Sequence, residues 1–238
     1  MKTNTEYKNA ALAALKGNWA PAVLVTVIFF LVCGLACAPA EVPMMTGAFN
    51  SDELQAMATS GDLAGVMDVY SQMTTWSSLT SLLSIFLVSV LTVGFSISFL
   101  RLLRFGDNQL TANMFSVAFK NYWHKVWGMF LMSLFTFLWT LLFIIPGIIK
   151  VFSYAMTPYI LEENPELSAN DAIDRSRAML KGRKFDLFWL WLSFIGWGIL
   201  CIFTLGIGFL WLIPYMQTAE AAFYEDVKAD YELHGGLI

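Results

Sequence analysis

Of the 238 residues, 58% are hydrophobic and only 13% charged, about half the charged fraction of an ordinary soluble domain. A mean hydropathy of +0.62 and several apolar runs of membrane-spanning length exclude a water-soluble globular domain as the main architecture. The net charge of -4 hides a sharp segregation, with no Lys or Arg between Trp19 and Arg101; no nucleic-acid partner is expected, and Cys33, Cys37 and Cys201 all lie in apolar runs. With only His124 and His234 besides, neither disulfides nor a Cys/His zinc site is expected, and no cofactor is implied.

The first 18 residues form an amphipathic pattern in which Tyr7, Ala11, Leu12 and Leu15 oppose Glu6, Lys8 and Lys16, and this helix is expected to lie on the membrane surface. Residues 19 to 38 are apolar throughout, long enough for a first span. Ala36-Cys37-Ala38 resembles a signal-peptidase site, but the leader before it is too long and too amphipathic for an ordinary n-region. Cleavage there would leave five spans in the same orientation.

Residues 39 to 75 contain no Lys or Arg and carry Glu41, Asp52, Glu53, Asp62 and Asp68, so they are expected to be an acidic outer insertion. Leu63, Val66, Met67, Tyr70 and Met73 mark an interfacial helix within it. A second span is expected over residues 76 to 100, with Ser77, Ser81 and Ser84 on one face and the small pair Gly94 and Ser98 four apart. Arg101, Arg104, Lys120 and Lys125 then surround another amphipathic segment, Leu110 to Tyr122, and place it inside.

The apolar run 126 to 145 leads to Pro146-Gly147, expected to turn the chain back into a span over 147 to 161. That return keeps Arg175, Arg177, Lys181, Arg183 and Lys184 on the inner side. Before them, Ser168 fits an N-cap with Asp171 three positions on, and Asp171 to Arg175 has ion-pair spacing along the helix. The last apolar stretch divides at Thr204-Leu205-Gly206 into spans 185 to 203 and 205 to 223, followed by a tail, 227 to 238. No basic residue falls in an outer loop. The fold class expected is therefore all-α: one polytopic membrane domain over 1 to 226, six transmembrane helices as three hairpins, each preceded by an amphipathic cytoplasmic helix.

The hairpins also look like an internal repeat. Each amphipathic helix ends at a lysine-centred corner, Lys16-Gly17-Asn18-Trp19, Lys120-Asn121-Tyr122-Trp123 and Lys181-Gly182-Arg183-Lys184. Leu110-Thr111-Ala112-Asn113 and Leu167-Ser168-Ala169-Asn170 begin the second and third copies alike.

Phe143-Ile144-Ile145-Pro146-Gly147-Ile148-Ile149-Lys150, the segment Ser153 to Tyr159, Asn164-Pro165-Glu166-Leu167-Ser168, Ser176 to Gly182 and Pro214-Tyr215-Met216 together form a recognisable pattern. It resembles the bacterial membrane family catalogued as domain of unknown function 975, over roughly residues 110 to 226. That family is similar in layout to a membrane domain attached to some glycerophosphodiester phosphodiesterases, which implies lipid-related work and transfers no site residue.

No enzyme motif is present, and Gly206-x-Gly208 lacks the third glycine and the βαβ context of a dinucleotide fingerprint. Lys150 is the leading candidate because an ammonium in a span is costly without a partner, although it could snorkel to the outer interface. Tyr154 and Thr157 share its helical face at i+4 and i+7, so Lys150, Tyr154 and Thr157 are expected to bind an anionic or polar ligand entering from the outer side. Gln217, Glu220 and Tyr224 line a second face near the inner end, and Pro158 and Pro214 are expected to kink their helices.

The expected function is a non-enzymatic membrane protein that binds or moves a small or lipidic ligand, or assists such a system. A membrane scaffold or regulatory partner is the alternative, and a lipid-modifying enzyme the third. Expected partners are membrane lipids, a small-molecule or lipid ligand, and a membrane protein. The expected location is the bacterial cytoplasmic membrane with both termini inside.

Overall fold

The computed structural model describes residues 2 to 37 and 51 to 234. Residues 39 to 50 of the expected insertion, Ala38 of the cleavage-like site and the end of the tail lie outside the described residues, as do the side chains of Met73, Ser77 and Ser81. Among the described residues there are helices and no strands: α1 (Asn4–Leu15), α2 (Trp19–Cys37), α3 (Ser51–Ser60), α4 (Leu63–Phe105), α5 (Leu110–Phe119), α6 (Tyr122–Leu142), α7 (Ile144–Tyr154), α8 (Thr157–Glu163), α9 (Ala169–Met179), α10 (Lys184–Phe203) and α11 (Phe209–Leu233).

Among the described residues, five stretches are long and apolar enough to cross a membrane: Trp19–Ala36, Ser84–Phe105, Tyr122–Leu142, Ile144–Glu163 and Lys184–Phe203. The sixth expected span falls on α11, which is not among them because Gln217, Glu220, Glu225 and Asp226 dilute its apolar half. The surface agrees with a lipid solvent. Leu142, Phe143, Ile144 and Ile145 at the α6–α7 turn, and Phe203 and Leu205 at the α10–α11 turn, are 65 to 94% exposed. Such contiguous apolar patches are a liability in water and ordinary in a bilayer.

The chain forms two compact units, residues 29 to 88 and the remainder. Within the smaller unit, α4 begins with Gly65 N–H donating to Asp62 (3.0 Å) and exposes Leu63, Met67 and Tyr70 along one stripe. The expected interfacial helix and second span are thus one continuous helix, since no glycine or proline interrupts residues 66 to 93.

In the larger unit, α1 is started by a reciprocal cap: Glu6 N–H donates to Thr3 Oγ1 (3.3 Å) and Thr3 N–H to the Glu6 carboxylate (2.5 Å). Its apolar face of Tyr7, Ala11 and Leu15 is at most 1% exposed. Tyr7 meets Phe223 of α11 edge-on, with ring centroids 5.3 Å apart. Likewise α5 buries Leu110, Met114, Val117 and Ala118, and its Met114 backbone lies where a side chain at Gly94 of α4 would sit. The apolar faces of these helices are covered by protein, not spread on a bilayer surface.

All three corners pass through a left-handed residue directly after the lysine: Gly17 (φ +84°), Asn121 (φ +50°) and Gly182 (φ +82°). Glycine and asparagine are the residues that adopt this conformation at least cost.

The first tight hairpin turns at Phe143 (φ −155°, ψ 133°), which ends α6 and starts α7. The turn thus falls three residues earlier than expected, and Pro146-Gly147 lies inside the first turn of α7, where proline sacrifices no helical hydrogen bond. Gly147 is required by proximity: a β-carbon there would sit 2.7 Å from Thr140 Cα. The second hairpin turns at Leu205 and Gly206 (φ +54° and +86°), and a β-carbon at Gly208 would sit 2.7 Å from Cys201 Sγ.

The expected span 147 to 161 is two helices, broken at Ala155-Met156 by Pro158 in the first turn of α8. Pro214, by contrast, lies within α11 without ending it. The core centres on α8, α10 and α11, where Tyr159 and Tyr224 stack with centroids 4.7 Å apart.

Candidate functional site

Charged side chains in the larger unit fall into two kinds of surroundings. At one end of the bundle, Glu162 and Glu163 close α8 and gather cations from three other helices. Lys125 of α6, fully buried, pairs with Glu162 (2.6 Å) and donates to the Lys120 carbonyl (2.7 Å). Arg101 reaches Glu162 at 3.5 Å, Lys228 reaches Glu163 at 2.6 Å, and Arg104 bridges Glu163 and Glu225. Tyr224 donates its hydroxyl to Glu163 (2.7 Å).

Arg183 forms the second closed centre. Its guanidinium, 5% exposed, contacts Asp226 and Asp186 at 2.8 Å and Asp230 at 3.3 Å. It also donates to the Tyr7 hydroxyl (3.2 Å), which donates in turn to Asp226 (2.7 Å). Burial alone would raise the Asp226 carboxyl, but the bonds from Arg183 and Tyr7 outweigh it and hold the group below its usual range. Burial would weaken the Arg183 charge, and its bonds to Asp226 and Asp186 reverse that and raise its pKa. The Tyr7 phenol is pushed well above its ordinary value, first by burial and then by Asp226.

The predicted trio has a different character. Lys150, half-buried on α7, holds its ammonium 4.4 Å from the Trp139 ring centre and 5.8 Å from that of Tyr154. Aromatic faces thus supply its partners, as cation–π contacts, and among the described residues no carboxylate pairs with it. Tyr154 is 4% exposed and lines a cleft of about 440 Å³ with Phe135, Trp139, Asn170, Ile173, Asp174 and Arg177. Thr157 does not join them. It is fully buried at the start of α8, its hydroxyl without a hydrogen-bond partner, because the break at Ala155-Met156 interrupts the helical face expected to carry it.

The charges of Arg177, Lys184 and Asp174 lie within electrostatic reach of Lys150, and all three belong to the segment expected inside. α9 is held against α7 by Ser176, whose hydroxyl donates to the Ser153 carbonyl (2.9 Å). Ser168 caps α9 as expected, accepting from Asp171 N–H (3.2 Å), but it also donates to the Asp171 carboxylate (2.6 Å). Arg175 therefore turns from Asp171 to Asn164 (3.1 Å) and the Tyr231 ring, while Arg177 pairs with Asp174 (2.6 Å).

Two further depressions continue from the Tyr154 cleft. One of about 310 Å³ shares Asp174 and Arg177 with it and adds Ala178, Lys181 and Lys184. The next, an apolar groove of about 290 Å³, shares Lys184 and is otherwise lined by Ile148, Ile149, Phe152, Phe185 and Phe188. A separate groove of about 420 Å³ around Trp19, Trp197 and Trp211 has no charged side chain in its wall.

The second inner-end face predicted from sequence is split between contacts: Gln217 accepts from the Ser96 hydroxyl (3.1 Å), Glu220 faces Trp191, and Tyr224 serves Glu163. Sequence reasoning missed Trp139 as the partner of Lys150, and Glu162, Glu163 and Arg183 as hubs. The available signal was that inner basic residues outnumber any visible helical pairing, so their carboxylates had to come from distant segments.

Apolar helices of spanning length, an apolar exterior and ion pairs gathered inside define an all-helical membrane protein. The chain belongs to the family described as "Protein of unknown function (DUF975)", whose model matches residues 1–154 and 141–231. No curated protein and no solved structure matches it.

Proposed function

We propose that this is a non-enzymatic protein of the bacterial cytoplasmic membrane, with six spans as three repeated hairpins and both termini inside, that binds or moves an anionic small or lipidic ligand. The observation that carries this reading is the Lys150 ammonium. Among the described residues it rests on aromatic faces and forms no ion pair with a carboxylate, and it adjoins a cleft lined by Arg177 and its partner Asp174. An intramembrane cation without an anionic partner is a functional candidate. Trp139 and Tyr154 hold it in place without neutralising it.

The ligand contacts are assigned to Lys150 and Tyr154, with Arg177 added, and Thr157 is assigned to packing. The six-span arrangement is supported by the distribution of basic residues and by the paired tight turns, with α11 as a short, polar-ended sixth crossing. A scaffold role is the second reading, favoured by the exposed Leu63, Met67 and Tyr70 stripe, which suits a membrane surface or partner helix.

The test is solvent extraction and mass spectrometry of anionic compounds that co-purify with gently solubilised protein. Wild type should carry a reproducible ligand, Lys150→Met should lose it while remaining folded, and Lys150→Arg should keep part of it. Equal ligand content in wild type and Lys150→Met would overturn the assignment.

A further inference from the structure

The clefts beside Lys150 share lining residues, in succession, with an apolar groove. Asp174 and Arg177 belong to both polar depressions, and Lys184 belongs to both the second polar depression and the groove. The route therefore changes from charged to hydrocarbon-like across one side chain.

The charge along it is unbalanced. Arg177 is paired with Asp174 at 2.6 Å, whereas Lys150, Lys181 and Lys184 have no carboxylate partner among the described residues, in contrast to the paired Lys125, Arg183 and Lys228. Lys181 and Lys184 line the second polar depression together with the Asp174–Arg177 pair, which leaves it with excess positive charge and asks for an anion. The neighbouring wall asks for hydrocarbon: Phe152 on α7 and Phe188 on α10 meet edge-on at 5.7 Å, and Ile148 and Ile149 are about half exposed above them. A free phosphate would satisfy the first demand and ignore the second.

We infer that this track is a binding site for one anionic membrane phospholipid, its phosphate held by Lys181, Lys184 and Lys150 and an acyl chain laid in the groove between α7 and α10. The inference rests on the anionic-ligand reading above and names the ligand class. A basic pocket between membrane helices on the inner side is the setting in which anionic headgroups are recognised. Lys184 is the joint between the two halves: its stem lies against apolar surface while its ammonium faces the phosphate.

The test is native mass spectrometry of the full chain, delipidated and then mixed with phosphatidylglycerol or phosphatidylcholine of identical acyl chains. Wild type should retain phosphatidylglycerol at least about tenfold better, and Lys181→Met and Lys184→Met should each reduce that retention roughly fivefold. Ile149→Trp, which fills the groove and leaves every cation in place, should lower phosphatidylglycerol retention by a similar factor.

Glycerol phosphate at equal concentration should fail to displace the lipid. Equal retention of the two lipids overturns the headgroup assignment, and full displacement by glycerol phosphate overturns the acyl groove. If Lys150→Met removes a co-purified anion while Lys184→Met and Ile149→Trp change nothing, the ligand reading stands and the phospholipid site falls. If none of the three matters, both fall.

Discussion

Two charged regions of the larger unit invite comparison, because they use the same residue types to opposite effect. Around Glu163 and Arg183, cations and carboxylates converge from helices far apart in sequence, with partners within 3.5 Å and little exposure. Around Lys150, Lys181 and Lys184 no ion pair to these lysines forms among the described residues: the carboxylate that lines the same depression, Asp174, is bonded to Arg177, and Lys150 rests on aromatic rings. Pairing explains the first region as a clamp on the fold. The same principle leaves the second open to a ligand, because a charge that stabilises nothing inside the protein is free to stabilise something outside it.

The largest expected effect lies in the closed region. Arg183→Met strips the cation from Asp226 and leaves it buried beside Tyr7, and breaking a buried pair from one side costs about 3 to 5 kcal/mol. Thermal unfolding in detergent should show a large drop in melting temperature. Lys150→Met loses only cation–π contacts, worth about 0.5 to 2 kcal/mol, and should change melting far less. A larger loss from Lys150→Met than from Arg183→Met would reverse the comparison.

Gly147 sharpens it from the side of packing. Gly147→Val forces a branched side chain against Thr140 and should destabilise by about 1 to 3 kcal/mol through overpacking, read in the same unfolding assay. A neutral result would mean that the α6–α7 turn is looser than Phe143 and Gly147 make it.

The acid limb gives a smaller effect. Because Asp226 is held below its ordinary value of 3.8, its contribution to stability is complete above that pH. It is lost as pH falls through the lower value of the folded protein. Melting temperature should therefore decline at acid pH more steeply in wild type than in Asp226→Asn, which starts lower at neutral pH. Parallel acid limbs would remove Asp226 from the clamp.

Topology tests the placement of both regions without a change in stability. With native cysteines replaced, single cysteines at Ser60 and Ile145 should react with an impermeant thiol reagent from outside, and those at Asn108, Asp174 and His234 should not. Ile145 is used because it is exposed, whereas Gly147 is packed against Thr140. Outer labelling at Asp174 would move α9 and the whole open track to the other side.

Much of the helical plan was legible because membrane helices write themselves in runs of apolar residues, and the lysine corners showed as Lys-Gly and Lys-Asn steps. Boundaries were less legible. Pro146-Gly147 looked like a loop and is a helix start, since proline suits a first turn as well as a break. Pro158 was expected to kink a helix and instead separates two, which carried Thr157 away from Lys150. Lys150 and Tyr154 were found because their spacing is local. Trp139, Lys184 and Lys181 were not joined to them, since hairpin packing sets those contacts and no spacing along the chain encodes it.

The most direct test of the central contrast is the rise in melting temperature caused by phosphatidylglycerol, because a ligand that binds only the folded state stabilises it by mass action, about 2.7 kcal/mol at 100 times the dissociation constant. Wild type and Asp226→Asn, whose open track is intact, should both gain. Lys150→Met and Lys184→Met should gain little despite melting near wild type without lipid. Equal gains in all four proteins would show that the free cations bind nothing and would contradict the account.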